Sequence, residues 1–115
     1  MPIIRSESND YMSQAVVYNG VVTTSGQVAN DYSSTLEEQT LQALENVKKQ
    51  LLAVGSSPEK MLTTTVYMND IRGFDTMNKV WKAWFEGHPK PTRATLETRL
   101  AVPGMLIEIV ATASV

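Results

Sequence analysis

Arg93 is the residue of this chain best suited to bind a small anion. It follows the rigid turn Pro89-Lys90-Pro91 and opens a β-rich segment, so its planar guanidinium could hold a carboxylate through two parallel hydrogen bonds. The ordinary alternative is a surface arginine paired with Glu97 or Asp10, and such an exposed ion pair contributes little to the stability of the fold. Arg93 is therefore a candidate carboxylate ligand.

Glu108 is the second candidate, and its neighbours are aliphatic. Strand alternation puts Glu108 on one side with Leu106 and Val110, and puts Ile107 and Ile109 on the other. A carboxylate among apolar neighbours can orient a water molecule or act as a general base. The alternative is a glutamate on a solvated face.

Two further positions are weaker candidates. Gly26, in Ser25-Gly26-Gln27, ends an apolar strand, where a glycine often marks the close approach of a ligand or of another backbone; a simple bulge is the alternative. Asn78 lies between Met77 and Trp81 on a helical pattern, and its alternative is a solvated helix residue.

The remaining inventory of reactive side chains is small. The 115 residues contain one histidine and no cysteine, which excludes disulfides, a cysteine nucleophile, a thiolate metal site and a histidine cage. With one histidine, a Ser-His-Asp triad is improbable but not excluded. His88 lies in a Gly-His-Pro loop and is expected to face solvent. We therefore predict no metal and no cofactor.

Charge and hydropathy narrow the class of partner. Ten Lys and Arg residues against twelve Asp and Glu residues give a net charge of −2, and the basic residues form no stripe for tracking phosphates. Trp81 and Trp84 are expected in the core rather than stacked on bases. Apolar runs are too short for a membrane span, and no signal-peptide core follows Met1. A cytoplasmic protein with neither nucleic-acid nor membrane partner is expected.

The elements that would position these residues follow from turn and period signals. Residues 14–18 and 21–25 are β-rich and are joined by Asn19-Gly20, the pair favoured in type I′ turns, which predicts a hairpin. A capping box, Ser34 with Glu37, begins a helix that Gly55 ends. Its apolar residues at helical spacing are Leu41, Leu44, Val47, Leu51 and Leu52.

The second half of the chain predicts three strands and one helix. A strand over 62–68 would place Leu62, Thr64, Val66 and Met68 on one side and Thr63, Thr65 and Tyr67 on the other. An amphipathic helix covers 74–85, and strands over 92–100 and 106–113 would form a hairpin turned by Pro103-Gly104.

A short strand is possible at residues 3–5. The order of elements favours an α+β domain over residues 1–115, with a sheet built mostly from sequence neighbours and both helices on one face. The other face would then be left open, which predicts a homo-oligomer.

An ordered set of motifs covers nearly the whole chain without large gaps. The motifs are Ser25-Gly26-Gln27, the segment 39–47, the segment 65–70, the segment 74–78, Pro91-Thr92-Arg93 and Ile107-Glu108-Ile109. Together they resemble the reactive-intermediate deaminase (Rid or YjgF) family, in a divergent branch. The resemblance implies a chorismate-mutase-like mixed sheet and a homotrimer whose sheets form a barrel, with ligand clefts between subunits.

The resemblance also implies a reaction and roles for residues. The archetype hydrolyses 2-imino and enamine acids of the 2-aminoacrylate type to 2-keto acids and ammonia, without a cofactor. By position, Arg93 matches the carboxylate ligand, Glu108 the water-orienting acid, Gly26 the glycine that the substrate approaches, and Asn78 the cleft asparagine.

Two positions depart from the archetype. Its cleft tyrosine falls on Met12, with Tyr11 beside it, and its cysteine after the arginine falls on Thr95. Tyr11 and Thr95 are accordingly candidate substrate-binding residues.

Three functions therefore compete. The first is imine deamination, and the second is a non-catalytic trimeric module that binds keto acids or similar carboxylates as a regulator. The third is a ribonuclease, an activity attached to some relatives. The acidic composition and the lack of a histidine pair argue against RNA cleavage.

Overall fold

The computed structural model describes residues 2–115, so that of the domain predicted over residues 1–115 only Met1 lies outside the described residues. Six strands and two helices occur in these residues. They are β1 (Ile4–Ser6), β2 (Ala15–Tyr18), β3 (Val21–Thr24), α1 (Leu36–Ala53), β4 (Met61–Met68), α2 (Phe74–Trp84), β5 (Thr92–Glu97) and β6 (Ile107–Ser114). Single 3₁₀ turns precede β4 and α2, at Pro58–Lys60 and Ile71–Gly73.

The first hairpin is confirmed. Strands β2 and β3 pair antiparallel, with Tyr18 opposite Val21, and Asn19 and Gly20 have φ values of +53° and +80°. Positive φ at both central positions is the type I′ requirement that an Asn-Gly pair meets without strain. The short strand predicted near residues 3–5 is β1, which pairs with the outer side of β2.

The start of α1 differs from the predicted capping box by one residue. Thr35 is the N-cap: its Oγ1 accepts a hydrogen bond from Glu38 N at 3.2 Å and its hydroxyl donates to Glu38 Oε1 at 3.0 Å. Ser34 instead closes the preceding turn by donating to the Asp31 carbonyl at 2.6 Å. Gly55, with φ of +84°, follows the end of the helix as predicted.

The predicted apolar positions of α1 divide into two groups. Leu44, Val47 and Leu51 are buried, whereas Leu41 and Leu52 are exposed. The apolar stripe that faces the sheet is therefore narrower than the spacing alone indicates.

The alternation along β4 is confirmed except at its beginning. Thr64, Val66 and Met68 face the core. The pairing with β6 has an irregularity between Met61 and Thr63, and there Met61 is buried while Leu62 is exposed. A bulge shifts the alternation by one residue, which explains why Leu62 is on the outside.

The predicted hairpin of the last two strands is wrong. The strand order is β1-β2-β3-β6-β4-β5: β5 ends at Glu97 and pairs parallel to β4, while β6 lies between β3 and β4 and is antiparallel to both. Three of the five strand pairs join strands that are consecutive in the chain, as predicted, but β6 pairs with β3 and β4 and not with β5. Burial explains the arrangement, because alternate residues of β6 are fully buried and no residue of β5 is, so β6 takes the centre and β5 the edge.

Both helices pack on one face of this mixed sheet, which confirms the α+β prediction. The core between helices and sheet contains aliphatic residues together with Met68, Met77, Trp81 and Phe85. Trp84 packs against it from its margin. Residues of β3, β4 and β6 on the opposite face are largely threonine and valine. Within residues 2–115, neither helix is long and apolar enough to span a membrane.

Candidate functional site

Arg93 lies in a pocket formed with helix α2. It is in register with Thr64 of β4, whose side chain faces the core, so Arg93 also lies on the helix side of the sheet. Its guanidinium carbon is 5.1 Å from the ring centroid of Trp81 and 5.5 Å from that of Phe74, and its Nη1 is 4.0 Å from Met77 Sδ. We call Arg93, Phe74, Met77 and Trp81 the arginine pocket.

The charge of the arginine pocket is not neutralised within the described chain. Among residues 2–115 the ion pairs are Arg72 with Asp70 and His88 with Glu59, so neither Glu97 nor Asp10 pairs with Arg93. Burial lowers the pKa of Arg93, although an arginine stays charged at neutral pH. Two aromatic faces stabilise this cation and leave its hydrogen-bond donors available to an anion.

Asn78 and Thr95 belong to the surroundings of the same pocket. Asn78 is one helical turn after Phe74 and almost one turn before Trp81, which places the three residues on one side of α2. Thr95 follows Arg93 by two residues and therefore lies on the same face of β5. Both side chains are partly buried. The structure thus brings together three of the six predicted site residues.

Gly26 and Glu108 form a second group, which we call the carboxylate edge. Gln27 and Ile109 exchange two backbone hydrogen bonds, of 2.8 and 2.9 Å, and this pairing presses Gly26 against the side chain of Glu108. A Cβ atom at Gly26 would lie 2.6 Å from Glu108 Cδ. A side chain at position 26 would therefore have to displace the Glu108 carboxylate, which occupies the space beside Gly26.

A polar cluster beside the carboxylate edge was not predicted from the sequence. The buried Gln27 donates from Nε2 to Gln14 Oε1 at 3.1 Å and to Ser25 Oγ at 3.2 Å, and the Ser25 hydroxyl donates to Gln14 Oε1 at 3.2 Å. These bonds fix the backbone on both sides of Gly26. The only sequence signal was a polar residue on each side of a strand-ending glycine, which does not reveal the partner Gln14.

Tyr11 lies on an exposed loop near the same end of the sheet. Asn9 Oδ1 accepts hydrogen bonds from the backbone N–H groups of Tyr11 and Met12, at 2.8 and 3.0 Å. The loop ends at Gln14, the residue before β2, whose carbonyl oxygen accepts a hydrogen bond from Ser25 N at 2.9 Å. The side chain of Tyr11 is 89% exposed, so it contacts little of its own chain.

The two groups are separate within one chain. Arg93 is in register with Thr64 and through it with Ala111, three residues beyond Glu108. Two inter-strand steps of about 4.8 Å and three residues of about 3.3 Å place the Cα atoms of Arg93 and Glu108 about 14 Å apart. Glu108 is in register with Tyr67, on the face opposite to Thr64. One small ligand cannot touch both within a single chain.

His88 takes no part in either group. Its Nδ1 is 3.1 Å from Glu59 Oε1 and both side chains are about half exposed, at 49% and 50%. Residues 2–115 contain no group of three or more His, Asp or Glu side chains arranged to hold a metal ion.

Comparison with known proteins gives a consistent result over almost the whole chain. The family model described as endoribonuclease L-PSP matches residues 5–115. The chain is 34% identical over 113 residues to a RutC family protein of Haemophilus ducreyi, covering 98% of this chain and 97% of that one. It is 36% identical over 107 residues to the 2-iminobutanoate/2-iminopropanoate deaminase of Rattus norvegicus, covering 88% and 77%.

Solved structures share the fold. The crystal structure of a YjgF family member from Neisseria meningitidis superimposes with a TM-score of 0.94 at 34% identity, covering 99% of this chain and 95% of that one. The predicted α+β class with a mixed sheet is confirmed by this similarity.

Proposed function

The chain belongs to the Rid/YjgF family, and from this premise we propose that it hydrolyses small 2-imino and enamine acids to 2-keto acids and ammonia. The observation that carries the proposal is the arginine pocket, where a partly buried guanidinium is held by two aromatic rings and pairs with no carboxylate of the described chain. The similarity to the rat deaminase supports the same reaction class.

We further propose that the site is completed in a homotrimer. The arginine pocket of one copy would face the carboxylate edge of the next, which removes the separation of about 14 Å within one chain. The exposed Tyr11 and the open face of the sheet support an assembly of this kind. In the trimer, Tyr11 would border the ligand from the side of the carboxylate edge.

The proposed reaction needs only positioning and proton transfer. Arg93 binds the substrate carboxylate through two N–H groups, and Asn78, Thr95 and backbone groups near Gly26 surround the imine. Glu108 accepts a proton from a water molecule as the water oxygen bonds to the imine carbon. That proton passes to the nitrogen, which gives a carbinolamine. Glu108 then moves the hydroxyl proton to the nitrogen, the C–N bond breaks as the C=O bond forms, and ammonia and the keto acid leave. An enamine enters this path as its imine tautomer.

The alternative is a module that binds keto acids or similar carboxylates without turnover. Arg93 would serve both functions equally well. Glu108, beside Gly26, can orient a water molecule, which hydrolysis requires and binding alone does not, and it therefore favours catalysis. RNA cleavage, named in the description of the family model, is less favoured because His88, the single histidine, bonds to Glu59.

One assay separates these functions. Imino acids generated in situ by an amino-acid oxidase are allowed to react with semicarbazide in the presence and absence of the protein. Deamination predicts that the protein lowers semicarbazone formation and raises the rate of ammonia release. Unchanged kinetics for every imino acid, together with saturable binding of 2-ketobutyrate, would favour the binding module.

A complementation experiment tests the shared site. Arg93→Ala and Glu108→Ala chains, each inactive alone, are unfolded together and refolded as a mixture. If each site takes Arg93 from one copy and Glu108 from the next, about a quarter of the sites in a 1:1 mixture hold both residues. Recovery of about that share of activity is expected. No recovery in mixed trimers, or a monomeric mass by light scattering, would overturn the shared site.

A further inference from the structure

Gln39, in the first turn of α1, is fully buried and makes an unusual number of hydrogen bonds. Its Nε2 donates to the carbonyl oxygens of Gly104 at 2.9 Å, Ser34 at 3.2 Å and Tyr32 at 3.3 Å. Its Oε1 accepts from Leu106 N at 3.0 Å. One side chain therefore joins the segment before α1 to the loop before β6, 65 and 67 residues later in the chain.

The loop of residues 98–106 depends on this side chain. Thr98 N donates to Met68 O, and Leu106 O accepts from Asn69 N, so both ends of the loop are tied to β4 and the residue after it. Between these ends, residues 99–105 make one hydrogen bond to the rest of the described chain: Gly104 O accepts it from Gln39 Nε2. Without Gln39 the middle of the loop has no polar anchor.

Gly104 fits the same contact from the other side. Its φ is +93°, and a Cβ atom there would lie 3.0 Å from Tyr32 O. A side chain would be strained by the backbone conformation and crowded by Tyr32. The close approach of the loop to residues 32–34 brings the Gly104 carbonyl within reach of Gln39.

The loop ends where the carboxylate edge begins. Leu106 is held by Gln39 at its N–H and by Asn69 at its carbonyl, β6 starts at the next residue, and Glu108 follows. The loop also walls a cleft of about 400 Å³ that includes Asn69, Glu97 and Arg99. The position of Gln39 therefore bears on both the entry of β6 and the shape of this cleft.

We propose that Gln39 is a positioning residue that fixes the 98–106 loop and, through Leu106, the placement of Glu108. This inference rests on the proposed deaminase function for its kinetic consequence and on the hydrogen bonds above for its structural one. Gln39 acts through the backbone of Leu106 and contacts no substrate. Loss of its carboxamide loosens the water-orienting carboxylate and leaves the arginine pocket intact.

The test substitutes Gln39 by methionine, which keeps the volume and removes all four hydrogen bonds. Gln50→Met is the matched control, because Gln50 is a second buried glutamine of α1 and its Oε1 has no hydrogen-bond partner within the described chain. For imino-acid hydrolysis we expect Gln39→Met to lower kcat about 10-fold, because a loosened catalytic group loses its alignment. KM should stay within about twofold, since Arg93 still binds the carboxylate.

Amide hydrogen exchange supplies a readout independent of activity. We expect the amides of Leu106, Ile107 and Glu108 to exchange faster in Gln39→Met than in the wild type. In Gln50→Met their exchange rates should not change. Faster exchange with unchanged kcat would show that Gln39 is merely structural and would overturn the proposal. Unchanged exchange would overturn it as well.

Two further outcomes remain decisive. If Gln39→Met does not fold, Gly104→Ala disturbs the same contact from the loop side and should give the same kcat loss, with wild-type kcat contradicting the proposal. If the wild-type protein hydrolyses no imino acid, the proposed function fails, and the exchange rates at Ile107 and Glu108 alone decide whether Gln39 positions the carboxylate edge.

Discussion

The arginine pocket and the carboxylate edge hold their charges by different means. Arg93 has a long flexible side chain, and three side chains of α2 restrict it through ring faces and a sulfur contact. Glu108 has a shorter side chain, which is oriented by the strand pleat and by the space left at Gly26. The Arg93 cation is thus enclosed by side chains of α2, whereas the Glu108 carboxylate, on a central strand, lies against a residue without a Cβ atom.

The two regions also differ in what surrounds them. The arginine pocket is built by side-chain packing between α2 and β5, the strand at one edge of the sheet. The carboxylate edge is built by backbone pairing between Gln27 and Ile109. We expect variants of the pocket to change substrate binding and variants of the edge to change turnover.

Arg93→Ala should have the largest effect. Loss of a bidentate contact to a charged group costs about 2 to 5 kcal/mol, which lowers kcat/KM by about 30-fold to several thousand-fold. Arg72→Ala is the matched control, because Arg72 is exposed and pairs with Asp70, and its kinetics should match the wild type. Near-wild-type turnover by Arg93→Ala in the oxidase-coupled assay would remove the arginine pocket from the site.

Glu108→Gln should reduce turnover and leave binding intact. The amide keeps the shape of the side chain but cannot accept a proton, and loss of a general base typically costs about 100-fold or more in kcat. KM should change little, in contrast to the pocket variant. Glu45→Gln, at an exposed position of α1, serves as control. A rise in KM at constant kcat would mean that Glu108 binds substrate instead of activating water.

Phe74→Leu should have a moderate effect confined to binding. Leucine keeps apolar contact but removes one ring from the cation, a change of about 0.5 to 1 kcal/mol that raises KM about two- to fivefold. The control is Trp84→Leu, because the ring of Trp84 packs edge-on against Phe85 at 4.8 Å and is not part of the pocket. Equal KM values for both variants would show that the ring of Phe74 does not hold Arg93.

Asp70→Asn should have the smallest effect, and only on stability. Hydrogen bonds from Arg72 lower the pKa of Asp70 from 3.8 to about 2, so between these values the unfolded chain binds more protons than the native one. The contribution of Asp70 is therefore complete above pH 4 and is lost as pH falls towards 2.

Thermal unfolding of wild type and Asp70→Asn across pH 2 to 7 checks this. The small difference in Tm at pH 7 should disappear near pH 2. A difference in Tm that persists at pH 2 would have to come from the hydrogen bond that the Asp70 side chain accepts from Arg72 N rather than from the charge of Asp70.

Local signals predicted much of the fold. The Asn19-Gly20 turn, the alternation along β4 and the amphipathic pattern of α2 each concern residues close in sequence, where backbone preference and period decide the outcome. The placement of β6 was missed because Pro103-Gly104 is compatible with a hairpin. The choice of partner depends on burial across the whole sheet, a long-range quantity that no local pattern contains.

Candidate residues were easier to identify than their surroundings. Arg93 and Glu108 stood out in the sequence, because one follows a proline-rich turn and the other lies among aliphatic residues. Phe74 and Trp81 had the spacing of ordinary core residues, which did not indicate contact with a cation. Gln39 gave no signal, because its partners Gly104 and Leu106 lie more than 60 residues away.

The central place of β6 has a consequence for the order of folding. Strands β1 to β3 form one hairpin-based unit and β4, α2 and β5 form another, and the sheet pairing that joins these units runs through β6. Both units precede β6 in the chain, so the six-stranded sheet cannot be completed before β6 pairs with β3 and β4. Such long-range pairing slows folding, and until it occurs the edges of β3 and β4 are open to the matching edges of other chains.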